Sequence, residues 1–122
     1  AAALLAEMHG HAMPKSAFST TTSGGQEDYV SMGSTAAWNL LETTKKLSKL
    51  LACELIISLE ALEYNDLKSS KYVESLKKLV RKVCPRLSGD RSLSKEIEIV
   101  AKGIFEGHWL ARINAECGDI VR

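Results

Sequence analysis

The sequence predicts an all-α fold, and two features of its residue pattern carry that prediction. Apolar residues recur at helical spacing through several separate stretches, and no stretch alternates apolar and polar residues convincingly as a half-buried strand would. The longest of these stretches, residues 35–63, contains neither Gly nor Pro, the residues that most strongly interrupt helices. We therefore expect one long central helix followed by shorter C-terminal helices, as in a helical bundle.

Composition limits the class of protein. The 122 residues include 16 Lys+Arg and 15 Asp+Glu, and 45% of them are hydrophobic, which suits one folded domain. The balanced charge argues against a nucleic-acid partner, because binding to phosphates normally requires a basic excess. No uninterrupted apolar run reaches the roughly 18 residues of a membrane span. The widely spaced Cys53, Cys84 and Cys117 predict reduced thiols in a cytoplasmic protein, and neither a disulfide framework nor a zinc ribbon.

The first residues have the composition of the interior of a helix. Residues 1–9 fit a helix by propensity, and the pattern ends before Gly10. The sequence begins without an initiator Met and without the basic start and cleavage site of a signal peptide. We therefore expect the 122 residues to be a fragment of a longer protein.

Residues 10–33 show no period and predict a long loop. Pro14, the hydroxyl-rich residues 19–23 and the pair Gly24-Gly25 all favour irregular backbone. Loops this long inside a compact domain are usually either functional or disordered, so its length alone makes this segment a candidate functional loop. The His9-Gly10-His11 pair has no third ligand nearby, and no metal site is predicted there. The Gly-rich residues lack the Lys and the spacing of a phosphate-binding loop.

The long helix is expected over residues 35–63, with Ser34 or Thr35 capping its N-terminus. One face carries apolar residues at helical spacing, while the second half adds apolar residues that lie off that face. The apolar arc between Leu50 and Leu62 is therefore broader than the single stripe of a surface helix. We expect another chain, or the remainder of this one, to cover it; a buried helix in a monomeric domain is the alternative.

Shorter helices are expected over residues 71–83, 93–105 and 109–117. The first should stop at Cys84-Pro85, because the residue before a proline is pushed out of the helical region. Ser94 is the expected cap of the second. A basic set on the first of these helices is expected to form its solvated face, and comprises Lys71, Lys77, Lys78, Arg81 and Lys82.

Two adjacent acids, Glu27 and Asp28, lie at or just ahead of the expected start of the long helix. Unpaired backbone amides and the helix dipole stabilise negative charge at such a position. From spacing alone, two interpretations stay open. Either one of the acids only caps the helix, or the pair belongs to a functional site.

A specific motif surrounds these acids. Residues 26–33 resemble the Gln-Glu-Asp-His-Val-Ser-Met-Gly signature of histidine ammonia-lyases, with Tyr29 in place of His and Gly25 where that family usually has Asn. Further landmarks of the histidine/phenylalanine ammonia-lyase family lie before and after this motif, in the expected order. They are Pro14 and Ser16, Thr22-Ser23, the stretch Leu67-Lys68-Ser69-Ser70, and Asp90-Arg91 with Leu93, Glu96 and Ile97. The resemblance covers about residues 1–106, and the tail from Gly107 falls outside it.

The resemblance implies a fold and an activity. Members of the family are mainly helical homotetramers that eliminate ammonia from an aromatic amino acid, leaving an α,β-unsaturated acid. Their electrophile is methylidene-imidazolone, made from an internal Ala-Ser-Gly triad that this chain does not contain. The resemblance thus implies the C-terminal portion of a longer cytoplasmic lyase, inactive alone and joined into a tetramer through the long helix. A non-catalytic helical assembly module, or a split-subunit relative of the lyases, is the alternative, and aminomutases of the family share much of the pattern.

The resemblance also assigns site residues. Glu27 matches the position whose side chain enters the active site, where histidine-type enzymes have Glu and phenylalanine- or tyrosine-type enzymes have Gln. A carboxylate can accept a hydrogen bond from an imidazole N–H or take part in acid–base catalysis, whereas beside a hydrocarbon ring it would be desolvated without a partner. Glu27 therefore favours histidine as the substrate and urocanate as the product. Gln26, its matched neighbour, is expected to help bind the substrate.

Overall fold

The computed structural model describes residues 1–66 and 68–120, and the prediction of an all-α fold is confirmed. Its helices are α1 (Ala2–His11), α2 (Gly33–Leu62), α3 (Lys71–Arg81), α4 (Ser94–Phe105) and α5 (His108–Cys117). Two short 3-10 helices, Lys15–Phe18 and Ser23–Gly25, interrupt the loop between α1 and α2. The described residues contain no β-strand, and an isolated bridge joins Thr22 to Glu27.

The N-terminus of α2 differs from the expected one. The helix begins at Gly33, so Ser34 and Thr35 lie inside it and neither is its cap. Instead, the Gly33 N–H donates to the Ser31 hydroxyl oxygen at 3.3 Å, and the Ala36 N–H donates to the Met32 carbonyl at 2.9 Å. A hydroxyl two residues before the helix thus takes a backbone donor that would otherwise have no partner.

The shorter helices also differ at their ends. α3 ends at Arg81 rather than at residue 83, because the N–H groups of Lys82 and Val83 bond the carbonyls three residues back, which tightens the last turn. Ser94 is the first residue of α4 and not its cap. The Ser94 N–H lies 3.5 Å from the Ser92 hydroxyl oxygen, at the limit of a hydrogen bond.

The chain divides into two units, residues 1–47 and residues 48–122. The first unit contains α1, the loop and the first part of α2. Two polar contacts join α1 to this part of α2: Lys46 Nζ lies 2.9 Å from Glu7 Oε2, and His11 Nδ1 lies 3.1 Å from Thr43 Oγ1. All of residues 1–47 are described, and none of them is buried. This unit therefore has no hydrophobic core of its own.

The second unit has a core that four of its segments build. Ala52, Ile56 and Leu59 follow one another at helical spacing on α2 and are almost fully buried. They cluster with residues of α3, of the segment after it and of α4, namely Val80, Cys84, Val100 and Ala101. α5 packs against both α3 and α4.

A close contact joins α4 to the residues that follow it. Gly107 has a φ of +72°, a conformation that glycine adopts without strain, and it separates α4 from α5. Trp109 then packs against Gly103, which is buried within α4. A Cβ atom at position 103 would lie 2.6 Å from Cε2 of the indole ring, closer than real Cβ contacts come. Gly103 is therefore required by this packing.

The basic set of α3 is not simply a solvated face, as the sequence suggested. The side chain of Arg81 is only 16% exposed, and its Nη2 lies 2.9 Å from Glu60 Oε2 on α2. Its Nε lies 3.3 Å from Oε1 of Glu63, which also accepts from Lys77 Nζ at 3.2 Å. The second oxygen of Glu60 accepts the N–H of Leu87 at 3.2 Å. These ion pairs hold the C-terminal part of α2 against α3.

Carboxylates in this unit make its stability depend on pH. The hydrogen bond from Lys77 lowers the pKa of Glu63, and the hydroxyl of Ser75, followed by Arg112, lowers the pKa of Glu116. A carboxyl whose folded pKa lies below its unfolded value adds stability above the unfolded pKa and loses it as the pH falls through the folded one. We expect the unfolding temperature to fall as the pH is lowered from about 5 to about 3.

Circular dichroism melts across this pH range check the expectation. The double variant Glu63→Gln, Glu116→Gln should show a flatter pH dependence than the unmodified chain, because its amides do not titrate. An equally steep dependence in the double variant would assign the acid sensitivity to other groups.

None of the helices in the described ranges has both the length and the apolar content that crossing a bilayer requires. In the same part of the chain, no three His, Cys, Asp or Glu side chains come together as a metal site would require.

Candidate active-site loop

The candidate residue Glu27 lies in a tight turn that its own backbone closes. The N–H of Thr22 donates to the Glu27 carbonyl at 3.0 Å, and the N–H of Glu27 points back to the Thr22 carbonyl at 3.4 Å. Inside this pair, the Gly25 N–H donates to the Thr22 carbonyl at 3.0 Å. We call residues 22–27 the site turn. Its two ends are fixed to each other by backbone hydrogen bonds.

The site turn needs an unusual backbone conformation. Ser23, Gly24 and Gly25 have φ angles of +54°, +64° and +90°, all in the left-handed region. Glycine enters this region without the steric penalty that a Cβ brings, and Asn tolerates it better than most other residues. Gly25 therefore suits the local conformation, as the Asn usual at this position of the lyase signature also would.

A side-chain hydrogen bond orients the Glu27 carboxylate. The Thr22 hydroxyl donates to Glu27 Oε2 at 3.0 Å, and no other side chain among the described residues donates to this carboxylate. Glu27 is exposed, so a ligand can approach it. The local structure thus presents an oriented carboxylate at the surface of this chain.

The structure places Glu27 ahead of the long helix. The acids were expected at or just ahead of its start; α2 begins at Gly33, and Glu27 lies in the site turn before it. The hydrogen-bond partner of its side chain is Thr22 and not a helix N–H group, so the geometry does not support a capping role for Glu27. Asp28, the second acid, is exposed at a bend. The turn, and not the helix terminus, holds Glu27 in place.

Gln26 lies beside Glu27 at the end of the turn. Its backbone N–H donates to the Ser23 carbonyl at 3.3 Å, and the residue is exposed. Gln26 and Glu27 are thus both exposed at the end of the site turn, and the substrate-binding role of Gln26 stays a prediction. Tyr29, where the lyase signature has His, is 63% exposed.

Further bonds fasten the remainder of the loop. Pro14 precedes the 3-10 helix Lys15–Phe18, and the N–H of Ser19 closes that helix on the Ser16 carbonyl at 3.2 Å. The Ser19 hydroxyl then accepts the N–H of Val30 at 3.0 Å, which ties the two sides of the loop together. The Pro-x-Ser landmark thus forms a structural turn that leads into the site turn.

The later landmarks also have structural roles in this chain. Ser70 caps α3, since its hydroxyl oxygen accepts the Val73 N–H at 3.3 Å, while Leu67 lies outside the described residues. Arg91 forms an ion pair with Glu96 in the first turn of α4. The pKa of Glu96 is lowered, first by a hydrogen bond from its own backbone N–H and then by Arg91. These residues support the fold rather than add groups to the candidate site.

Thr22 is the residue whose contribution the sequence did not indicate. In the sequence, Thr22 stands out only as one of the hydroxyl-rich residues 19–23 and as the Thr of the Thr-Ser landmark. Contact between Thr22 and Glu27 depends on the left-handed backbone between them, and the Ser at position 23 does not indicate such a backbone. The pair Gly24-Gly25 was the available signal, because adjacent glycines often mark a tight turn.

Comparison with known proteins extends the resemblance. The sequence profile described as "Aromatic amino acid lyase" matches residues 1–82. The histidine ammonia-lyase of Natranaerobius thermophilus is 35% identical over 121 residues, which cover 98% of this chain and 24% of that protein. The histidine ammonia-lyase of Gloeobacter violaceus is 34% identical, with the same coverage of both chains.

A solved structure is similar over the same extent. The crystal structure of the tyrosine aminomutase from Streptomyces globisporus superposes with a TM-score of 0.86 at 28% identity, and the match covers 99% of this chain and 23% of that one. This chain therefore spans about a quarter of the length of the proteins it matches. The matches continue beyond Gly107, so the expectation that the similarity ends near residue 106 was wrong.

Proposed function

Because the chain belongs to the aromatic amino acid lyase family, we propose that it is the C-terminal segment of a histidine ammonia-lyase-like enzyme and supplies Glu27 to the substrate pocket. The observation that carries this proposal is the site turn, which presents an oriented and accessible carboxylate within the family signature. The remaining walls of the pocket would come from residues beyond these 122.

The chemistry of Glu27 favours histidine. Its carboxylate can accept a hydrogen bond from an imidazole N–H, and it can hold or release a proton at that nitrogen. A phenyl ring offers no such donor, so burying the charge beside it would cost free energy without compensation. We therefore propose L-histidine as the substrate and urocanate as the product, with Gln26 assisting in substrate binding.

The reactive group lies outside this chain. Methylidene-imidazolone supplies the electrophile in the family, and the Ala-Ser-Gly triad that forms it is absent from these residues. Since none of the residues present can build that group, the segment alone is expected to be inactive. Its proposed contribution is to bind and orient the substrate side chain, and to move a proton there.

The exposed apolar residues of α2 support assembly through this helix. Trp38, Leu40 and Ile57 are 62%, 67% and 68% exposed, and large apolar side chains on a long helix favour burial against a partner. We propose that α2 contributes to the central bundle of a homotetramer. The free thiols of Cys53, Cys84 and Cys117 are in keeping with a cytoplasmic enzyme.

The experiment uses the complete protein that contains this segment. It is incubated with histidine, phenylalanine or tyrosine, and both ammonia and the unsaturated acid are measured. We expect ammonia and urocanate from histidine, with much slower reaction of the other two. A folded protein that releases ammonia from none of them would contradict the proposal and favour a non-catalytic assembly module.

The similarity to a tyrosine aminomutase favours a second candidate. An aminomutase would convert the α-amino acid into its β-isomer, and chromatography of the same reaction mixtures would detect that product. A β-amino acid that accumulates without matching ammonia release would assign the enzyme to this second class.

A further inference from the structure

We propose that Thr22 is a positioning residue for Glu27 and that its hydroxyl selects how the carboxylate meets an imidazole substrate. This inference rests on the proposed function, because it concerns the same site. It begins from the hydrogen bond between Thr22 Oγ1 and Glu27 Oε2, which measures 3.0 Å.

The geometry makes this bond more than a chance contact between surface side chains. The backbones of Thr22 and Glu27 bond each other in both directions, which keeps the two side chains opposite one another. Cross-strand pairs joined in this way are close enough for their side chains to interact. The left-handed residues Ser23, Gly24 and Gly25 complete the turn, so the hydroxyl stays near the carboxylate.

The bond also gives the two carboxylate oxygens different hydrogen-bond partners. Oε2 accepts the Thr22 hydroxyl, which leaves Oε1 as the oxygen available to an imidazole N–H of the substrate. Without that donor, the exposed side chain would rotate among several conformers, and the substrate would have to select one of them. Thr22 thus holds the Glu27 side chain in one conformer before the substrate binds.

The experiment compares three variants of the complete protein. Thr22→Val keeps the shape of the side chain but removes the donor, Thr22→Ser keeps the donor, and Thr21→Val removes a neighbouring hydroxyl outside the turn. We expect kcat/KM for histidine to fall about tenfold in Thr22→Val, as for loss of a hydrogen bond to a charged group. Thr22→Ser and Thr21→Val should stay within about twofold of the unmodified enzyme.

A structural role would give a different pattern. The Thr22→Val change is therefore repeated in the Glu27→Ala background, where no side-chain oxygen remains to be positioned. The proposal predicts a much smaller loss there, whereas a general effect on the loop would cost the same in both backgrounds. Where Thr22→Val fails to fold, the pair Thr22→Ala and Thr22→Ser gives the same comparison, because those two variants differ only in the hydroxyl.

The outcomes separate this inference from the proposed function. An active enzyme in which Thr22→Val matches the unmodified protein, or loses equally in both backgrounds, overturns the role of Thr22 and leaves the proposed function standing. A folded protein without activity on any aromatic amino acid overturns both. Selective loss with Thr22→Val, rescued by Thr22→Ser, supports both.

Discussion

Replacing Glu27 with Gln in the complete protein is expected to lower kcat/KM for histidine by roughly 100-fold, in the range found when a positioned acid–base group is removed. The substitution keeps the size of the side chain and an acceptor oxygen for the Thr22 hydroxyl, so the site turn should persist. What the substitution removes is the negative charge that, under the proposed function, pairs with the imidazole and takes its proton. Steady-state kinetics with histidine would measure the effect.

The selectivity of the same variant tests the reason for the loss. An amide is cheaper to desolvate than a carboxylate, so Glu27→Gln should lose less activity toward phenylalanine than toward histidine. Glu74→Gln is a matched control, since Glu74 is an exposed acid on α3 and away from the site turn in sequence. Equal kinetics for Glu27→Gln and the unmodified enzyme would remove Glu27 from the mechanism.

The sequence predicted α2 well because the physical signals for that helix are local. No Gly or Pro interrupts residues 35–62, and the helical spacing of apolar residues holds throughout. Its first residue was misjudged because Ser34 and Thr35 are good caps by type, whereas the hydroxyl that bonds Gly33 belongs to Ser31. Capping depends on the backbone just before a helix, which residue type constrains only weakly.

The structure around the candidate site was harder to predict from the sequence than α2. Glu27 was found from its motif, but the structure that holds it depends on the positive φ of Ser23, which is unusual for a residue other than Gly. The Arg81 ion pairs were missed for a different reason. Glu60 lies on α2 and Glu63 directly follows that helix, and a helical pattern shows only which residues share a face, not which residues elsewhere in the chain lie opposite.

Gly103→Ala is expected to destabilise the second unit by about 2 kcal/mol, the usual cost of overpacking a filled site. In an open helix the same change would stabilise by roughly 0.5–1 kcal/mol, because Ala has the higher helix propensity. Here the new methyl would meet three atoms of the Trp109 ring at 2.6–3.0 Å, and a rigid indole cannot bend away. The steric term should therefore exceed the gain in propensity.

Urea unfolding of the chain, followed by circular dichroism and linear extrapolation, measures this change. Gly89→Ala is the matched control, because Gly89 lies in the same unit and a methyl added there would meet nothing within 4 Å. Its free energy of unfolding should stay within about 0.5 kcal/mol of that of the unmodified chain.

Combining Gly103→Ala with Trp109→Leu should cost less than the sum of the two single changes, because the smaller side chain leaves room for the methyl. Strict additivity would mean that the contact with Trp109 is not the cause of the destabilisation.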